Sequence, residues 1–384
     1  MSVELRPLGV ACNLACDYCY QEPQRAAGNF RQRYDLNAML AAAGDSGQPF
    51  VLFGGEPLLL GLPELERIWT FGYERFGSNT VQTNGALITD AHIELFKRYA
   101  VHVGISIDGP GDLNDTRSAH GQMRTRAATA RTEAAIKRLC TEHQPPGLIV
   151  TLHRRNATGA ALPRMAAWLR EMDELGIRSV RLHLLEVENA AVRAAHSLSD
   201  RENVEALLFF TRLEAELRHT RFDVVEDVKA LLRADDKNVA CVWRACDPYT
   251  TPAVQGIEAD GSSSNCGRTN KDGVDFLKSD QQGFERYLLL YQLPQEHGGC
   301  QGCRYFLMCK GQCPGTAIDG DWRNRTEHCQ IWKELFGEVE AQLVAAGEQP
   351  LSLDPRRPQF EQQLIMAWEQ NLNPTGELLA RGTG

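Results

Sequence analysis

An α/β fold is the first expectation from this chain: a partial (β/α)6 TIM-like barrel followed by a cysteine-rich C-terminal domain. Three observations predict it. The N-terminal half alternates short β-rich runs with longer helical patterns, which implies parallel strands joined by right-handed crossovers. A glycine or polar cluster follows each run, as in folds whose chemistry sits on the loops after the strands. From Asn238 onward the texture changes, and cysteines, glycines and turns replace the alternation.

Strands are expected at 3–10, 50–53, 80–83, 101–107, 148–153 and 180–185, rich in Val, Ile, Leu, Phe and Thr. Helices are expected between them at 36–43, 63–76, 90–99, 126–140 and 160–175, from apolar residues at helical spacing. Six such units are too few for a closed eight-stranded barrel, hence a partial one. Residues 197–232 read as amphipathic helix, and a domain boundary is placed near Asp235. A hairpin strand is expected at 253–259, turned by Asp260-Gly261. The end is expected to be helical, interrupted at 349–358, with a frayed Gly-rich tail. The resulting domains are 1–235, 236–333 and 334–384.

Composition narrows the function classes. A net charge of −9 argues against broad nucleic-acid binding, leaving only a local basic stretch such as His153-Arg154-Arg155. No apolar run is long enough for a membrane span, and the N-terminus has no signal-peptide pattern, so a cytoplasmic protein is expected. Twelve cysteines in that compartment point to metal ligation rather than disulfides.

The positions of those cysteines carry the chemistry. Cys12, Cys16 and Cys19 form a C-x3-C-x2-C triplet after the first strand. Three thiolates can hold three irons of a [4Fe–4S] cluster and leave the fourth iron open. Zinc is the alternative, but it favours paired hooks and four ligands. The triplet, with Tyr18 just before its last cysteine, resembles the signature of radical S-adenosylmethionine (radical SAM) enzymes. That resemblance implies that SAM chelates the open iron and that Tyr18 lies near the adenine.

The resemblance extends along the strand ends. Gly54-Gly55-Glu56-Pro57 matches the motif that holds the SAM amino group, glycines allowing close backbone approach and a carboxylate complementing an ammonium. Ser106, Asp108 and Arg117 match positions that contact the SAM carboxylate and ribose. Thr83 and Asn84 either bond the ribose or cap the following helix. Leu184 either packs on adenine or is core. His153, His183 and Glu186, also at strand ends, face the substrate or support the residues that do.

The later cysteines resemble the seven-cysteine SPASM domain of peptide-modifying radical SAM enzymes. By that resemblance Cys246, Cys266 and Cys313, completed by Cys241, hold one auxiliary [4Fe–4S] cluster. Cys300, Cys303, Cys309 and Cys329 hold a second, giving three clusters in all. A zinc ribbon is the competing reading of C-x2-C and C-x3-C, and would leave Cys246, Cys266 and Cys329 unexplained. Cys140 remains as a buried structural thiol.

The implied function is hydrogen abstraction from a ribosomally made precursor peptide, with an oxidative side-chain crosslink (C–C, C–S or C–O) as the product. Oxidation, dehydrogenation or epimerisation of a small molecule or single residue is the alternative, and a non-catalytic electron-transfer protein a third. The implied partners are the peptide and a flavodoxin- or ferredoxin-type electron donor. Peptide recognition is expected from a separate protein, the barrel mouth or the C-terminal helices. One departure stands out. Anaerobic sulfatase maturases carry an aspartate base directly after the cysteine matching Cys266, whereas this chain has Gly267 and then Arg268. Formylglycine formation is therefore not expected, and the base is unassigned among Asp247, Glu258, Asp260 and Asp321.

Overall fold

The computed structural model describes residues 2–28, 33–187, 189–247, 250, 254–269 and 281–381. Residue 253 of the expected hairpin and the tail at 382–384 lie outside them. The chain packs as two units: Met1–Asp223 with Gln255–Phe276, and Val224–Val254 with Leu277–Gly384. Packing therefore divides the chain at Asp223, ahead of the expected boundary near Asp235. It also returns the hairpin segment to the first unit.

The first unit is built on parallel strands β1 (Ser2–Leu5), β2 (Phe50–Leu52), β3 (Asn79–Thr83), β4 (Val101–Ser106), β5 (Gly147–Leu152) and β6 (Ser179–Leu184). They lie side by side in chain order. β1 stops at Leu5, well short of the expected residue 10, because Pro7 has no N–H for the ladder. Two additions extend the six. β7 (Arg221–Phe222) joins β6 as a seventh parallel strand, interrupting the stretch read as continuous helix. With only two residues it has no period to detect. At the other edge, β8 (Val254–Ile257) and β9 (Ser263–Ser264) form an antiparallel hairpin beside β1.

Helices α1 (Glu22–Ala26), α2 (Leu36–Asp45), α3 (Leu62–Phe76), α4 (Asp90–Arg98), α5 (Gln122–Thr141) and α6 (Leu162–Glu174) connect the first six strands. α7 (Ala190–His196) and α8 (Asp200–Glu214) lead to β7. Alternation along the strands puts Leu5, Leu52, Val81, Ile105, Val150 and Leu182 on one buried face, with Ile68, Trp69, Phe96, Leu139, Met165 and Phe210 from the helices also buried. Each such side chain contributes about 1.5–3 kcal/mol. The opposite rows, Glu4, Val51, Gln82, Gly104, Ser106, Ile149, Thr151, Arg181 and His183, are only partly buried. In an all-parallel sheet both faces are normally covered, so a half-open row of this composition marks a place for ligands. Asp173 ties the far end together, its carboxylate accepting from the N–H groups of Arg218, His219 and Thr220.

The second unit contains α9 (Asp223–Leu232), α10 (Glu285–Gln292), α11 (Phe306–Cys309), α12 (Cys329–Ala345), α13 (Arg357–Glu369) and α14 (Gly376–Arg381). Its core is aromatic. Trp243 packs edge-on against Trp332, Phe284 stacks on Trp368, and Tyr305 stacks on Phe336. Buried Arg286 donates to the carbonyls of Gln312, Trp322 and Asn324, so one side chain holds the loops between Cys309 and Cys329.

Candidate active site

The loop carrying Cys12, Cys16 and Cys19 is clamped from two sides by backbone. On one side Gly55 N–H donates to Gly9 C=O (2.9 Å) and Glu56 N–H to Ala11 C=O (2.8 Å). A methyl group on Gly55 would lie 2.1 Å from the Ala11 oxygen, so only glycine fits there. On the other side Ala15 N–H donates to Ser118 C=O and Asp17 N–H to Thr116 C=O, at 2.8 and 2.9 Å. Loops after β2 and β4 thus fix the triplet before any metal binds. Side chains add a third support from the loop after β3, where Asn84 Nδ2 donates to Asn13 Oδ1 at 2.7 Å.

Glu56 does not present its carboxylate outward as the motif suggested. It is 0% exposed and accepts from Leu58 N–H, Thr83 Oγ1 and Asn84 N–H, at 3.0, 2.7 and 2.7 Å. Burial raises its pKa, against the pull of those donors. Three of its roughly four acceptor positions are thereby filled by protein. Thr83 and Asn84 are braces in the same network and cap no helix, since Thr89 with His92 caps α4.

Tyr18 is tied into a second buried network. Its ring is buried against His153 (5.7 Å), and its hydroxyl donates to Asp108 Oδ2 and accepts from Arg117 at 3.2 Å. Asp108 is 0% exposed and also accepts from Thr151 N–H. Burial pushes its pKa up, but His153, Arg117 and Tyr18 outweigh that and hold it below the ordinary value. His153 is fully buried, with Nε2 on Thr116 Oγ1 and Nδ1 accepting from Arg155 N–H. It supports the site and does not face a substrate. Leu184 sits on the covered side of the sheet beside Leu182, 4% exposed, and is core.

Ser106 and Arg117 remain well placed for a ligand. Ser106 stands on the half-open row and accepts from Gln82 Nε2 at 2.9 Å. Arg117 lies near enough to Cys16 to oppose the burial that pushes that thiol up to about 12. Arg25, which the spacing gave no reason to single out, reaches Cys19 Sγ at 3.6 Å.

Further along the open row, Arg268 donates to His183 Nδ1 (2.8 Å) and to Glu186 (2.9 Å). Burial first, then Arg268 and Arg181, hold His183 well below its ordinary pKa. Arginine can only donate, so Nδ1 is the acceptor and the neutral ring carries its proton on Nε2. Gly267 lies against Tyr20, where a Cβ would come within 3.3 Å of the ring. Of the unassigned carboxylates, Glu258 is buried on Arg6 and Ser264, Asp260 caps its own turn at Ser262, and Asp321 pairs with Arg323. Asp247 is buried and accepts from Thr250 N–H.

In the second unit Cys300, Cys303, Cys309 and Cys329 line one cavity, together with Phe306, Trp332 and Phe336. Burial and the neighbouring thiols push Cys300 up to about 12 and Cys309 well above its ordinary value. Cys241, Cys246 and Cys313 belong to this unit and Cys266 to the first. Among the described residues no three Cys, His, Asp or Glu side chains converge on a point that would hold a single ion. An all-thiol donor set around a cavity fits a multi-iron cluster, which binds through cysteine sulfur. Among the described residues no helix is long and apolar enough to cross a membrane.

Comparison with known proteins agrees with this architecture. Residues 7–169 match the family model of the Radical SAM superfamily. The serine-type anaerobic sulfatase-maturating enzyme of Klebsiella aerogenes is 32% identical over 209 residues, 51% of this chain and 49% of that protein. The chain thus matches about half the length of that relative. The cysteine-type enzyme of Clostridium perfringens (strain 13 / Type A) is 29% identical over 381 residues, 90% of this chain and 97% of the relative. The solved structure of anSMEcpe with bound AdoMet matches with a TM-score of 0.69 at 17% identity, covering 90% of this chain and 98% of that one. SuiB of Streptococcus suis bound to precursor peptide SuiA matches with a TM-score of 0.55 at 16% identity, covering 86% and 75%. At such identities the structures speak for the fold. With the clamped cysteine triplet, the family match leads to one assignment: residues 7–169 form a radical SAM domain.

Proposed function

We propose that this chain is a peptide maturase that removes hydrogen from a ribosomally made precursor peptide and forms an oxidative side-chain crosslink. The observation that carries the reading is the clamped triplet Cys12, Cys16 and Cys19 beside a half-open sheet face bearing Ser106 and His183. When bound there, a three-cysteine [4Fe–4S] cluster and SAM supply reductive SAM cleavage and abstraction of a C–H hydrogen. The chain's own part is positioning and exclusion of water. Gly54 and Gly55 would hold the amino acid end of SAM, and Ser106 and Arg117 its carboxylate and ribose. Glu56, Tyr18 and Asp108 act at one remove, by holding the loops.

Two auxiliary clusters, on Cys241, Cys246, Cys266 and Cys313 and on Cys300, Cys303, Cys309 and Cys329, would take the electron left by the substrate. A crosslink loses two hydrogens net, so one electron must leave after the abstraction. The named peptides bound by anSMEcpe and SuiB support a peptide substrate.

Formylglycine formation is the second reading, favoured by the sulfatase-maturating relatives. Against it stands the site after Cys266, where Gly267 packs on Tyr20 and Arg268 is tied to His183 and Glu186. Neither residue can serve as a base, and neutral His183 offers a donor at Nε2. The test is anaerobic incubation with SAM, reductant and any short peptide encoded beside this gene. Loss of two hydrogens is the expected result. Unchanged mass with solvent deuterium uptake would indicate epimerisation instead. Conversion of a sulfatase-site cysteine or serine peptide to the aldehyde would favour the second reading.

A further inference from the structure

The chain is acidic overall, yet the surface over its first cysteine loop is not. Between Asp115 and Glu133 there is no carboxylate, and three arginines, Arg124, Arg126 and Arg131, follow the partly buried Arg117. This segment is the one that clamps the triplet through Thr116 and Ser118, and Ala119 packs beside Cys12 and Cys16. The exposed pair Arg154 and Arg155 joins it. Arg155 shares the single carboxylate of Asp115 with Arg126, at 3.7 Å, so two guanidiniums face one acid. Arg154 N–H donates to His196 C=O, and the His196 ring faces Asp17 at 3.8 Å. Asp17 itself is two residues from Cys19. Glu202, which interacts with Arg154, is engaged in capping Ser199. Met123, 83% exposed, stands next to Arg124. A protruding methionine next to an arginine suits a protein surface that must adapt to a partner.

We propose that this basic face docks a small acidic one-electron carrier protein, which delivers the electron consumed at the cysteine loop. The inference rests on the radical SAM assignment of that loop. One electron leaves the carrier's reduced cofactor, for instance an anionic flavin hydroquinone that becomes the neutral semiquinone. It enters the cluster held by Cys12, Cys16 and Cys19, which is reduced by one unit, and no proton or covalent bond is exchanged. Charge complementarity of this kind acts chiefly on the association rate and falls with ionic strength.

The experiment uses reconstituted holoenzyme and flavodoxin hydroquinone, mixed anaerobically in a stopped-flow instrument. Semiquinone formation and the Kd of the complex are read across a salt series. For the double variant Arg154→Glu/Arg155→Glu, the expected result is electron transfer slowed roughly tenfold or more at low salt, with a weaker Kd. Reduction by dithionite, and 5′-deoxyadenosine release driven by it, are expected to be unchanged. Arg155→Lys is expected to retain most of the rate. Equal flavodoxin rates and Kd in wild type and double variant would overturn the docking site. So would an effect confined to the KM for the peptide, which would make this face a substrate groove. Failure of dithionite to release 5′-deoxyadenosine from the wild type would instead overturn the functional reading beneath it.

Discussion

Two of the three groups of cysteines are built on opposite physical plans. Cys12, Cys16 and Cys19 sit on a loop between two others, held by backbone hydrogen bonds and a polar network of Asn84, Glu56, Tyr18, Asp108 and Arg117. Cys300, Cys303, Cys309 and Cys329 line an aromatic cavity beside a core of stacked rings. A polar scaffold keeps loop and ligand oriented while leaving one side for a reactant. An apolar cage shields a cluster from water and reactants, which suits electron transfer. On the proposed function, bond-breaking falls to the first group and electron handling to the second.

The comparison breaks most sharply at the ligands. Replacing Cys12, Cys16 and Cys19 together with alanine should remove about four irons per chain and abolish 5′-deoxyadenosine release. Cys303→Ser should also cost about four irons if its cluster is lost, yet leave substrate-free SAM cleavage largely intact. Iron analysis and chromatography of the nucleoside check both. Equal loss of SAM cleavage in the two variants would erase the proposed division of labour.

The next largest effect tests the polar scaffold. Glu56→Ala leaves two N–H groups and the Thr83 hydroxyl without a partner, and should destabilise the first unit by about 3 kcal/mol in chemical denaturation. A similar loss of iron from the first group only would tie the brace to the triplet.

Asp173 offers a control in the same unit, remote in sequence from every cysteine ligand. Burial opposes its charge, but three backbone N–H donors win and hold its pKa at about 2, below the ordinary 3.8. A depressed carboxylate stabilises the fold above its unfolded pKa, and that contribution disappears as pH falls from about 4 to about 2. Asp173→Asn should therefore lose about 2 kcal/mol near neutral pH, with the gap to wild type closing below pH 4. Stability curves at several pH values check this, and a gap that persists at the acid end would refute it.

The smallest expected effect is that of Tyr18→Phe. It keeps the ring on His153 and removes the hydroxyl from Asp108 and Arg117, at about 1 kcal/mol. Its more telling readout is the EPR signal of the reduced first cluster, which should shift while that of the second group does not.

Much of this was legible in the sequence because the signals were local. β-branched runs located β2 to β6 to within a few residues, and the cysteine spacing marked the loop after β1. What stayed hidden depends on contacts across the chain. Glu56 was read as a ligand for an ammonium because the motif cannot say that Thr83 and Asn84 fill its oxygens from 27 and 28 positions away. Nothing local in the sequence reveals Asp108 behind the hydroxyl of Tyr18. The pairing of Arg268 with His183 spans 85 positions and leaves no period or spacing to detect. β7 was missed because two residues carry no pattern.

The central claim is that Cys12, Cys16 and Cys19 hold a cluster with one iron open to SAM. Its most direct test is anaerobic reconstitution with iron and sulfide, followed by dithionite and SAM, with 5′-deoxyadenosine measured for wild type and Cys16→Ala. Release from the wild type and none from the variant is the expected result. Equal release from both, or none from a wild type carrying its full iron, would contradict the claim.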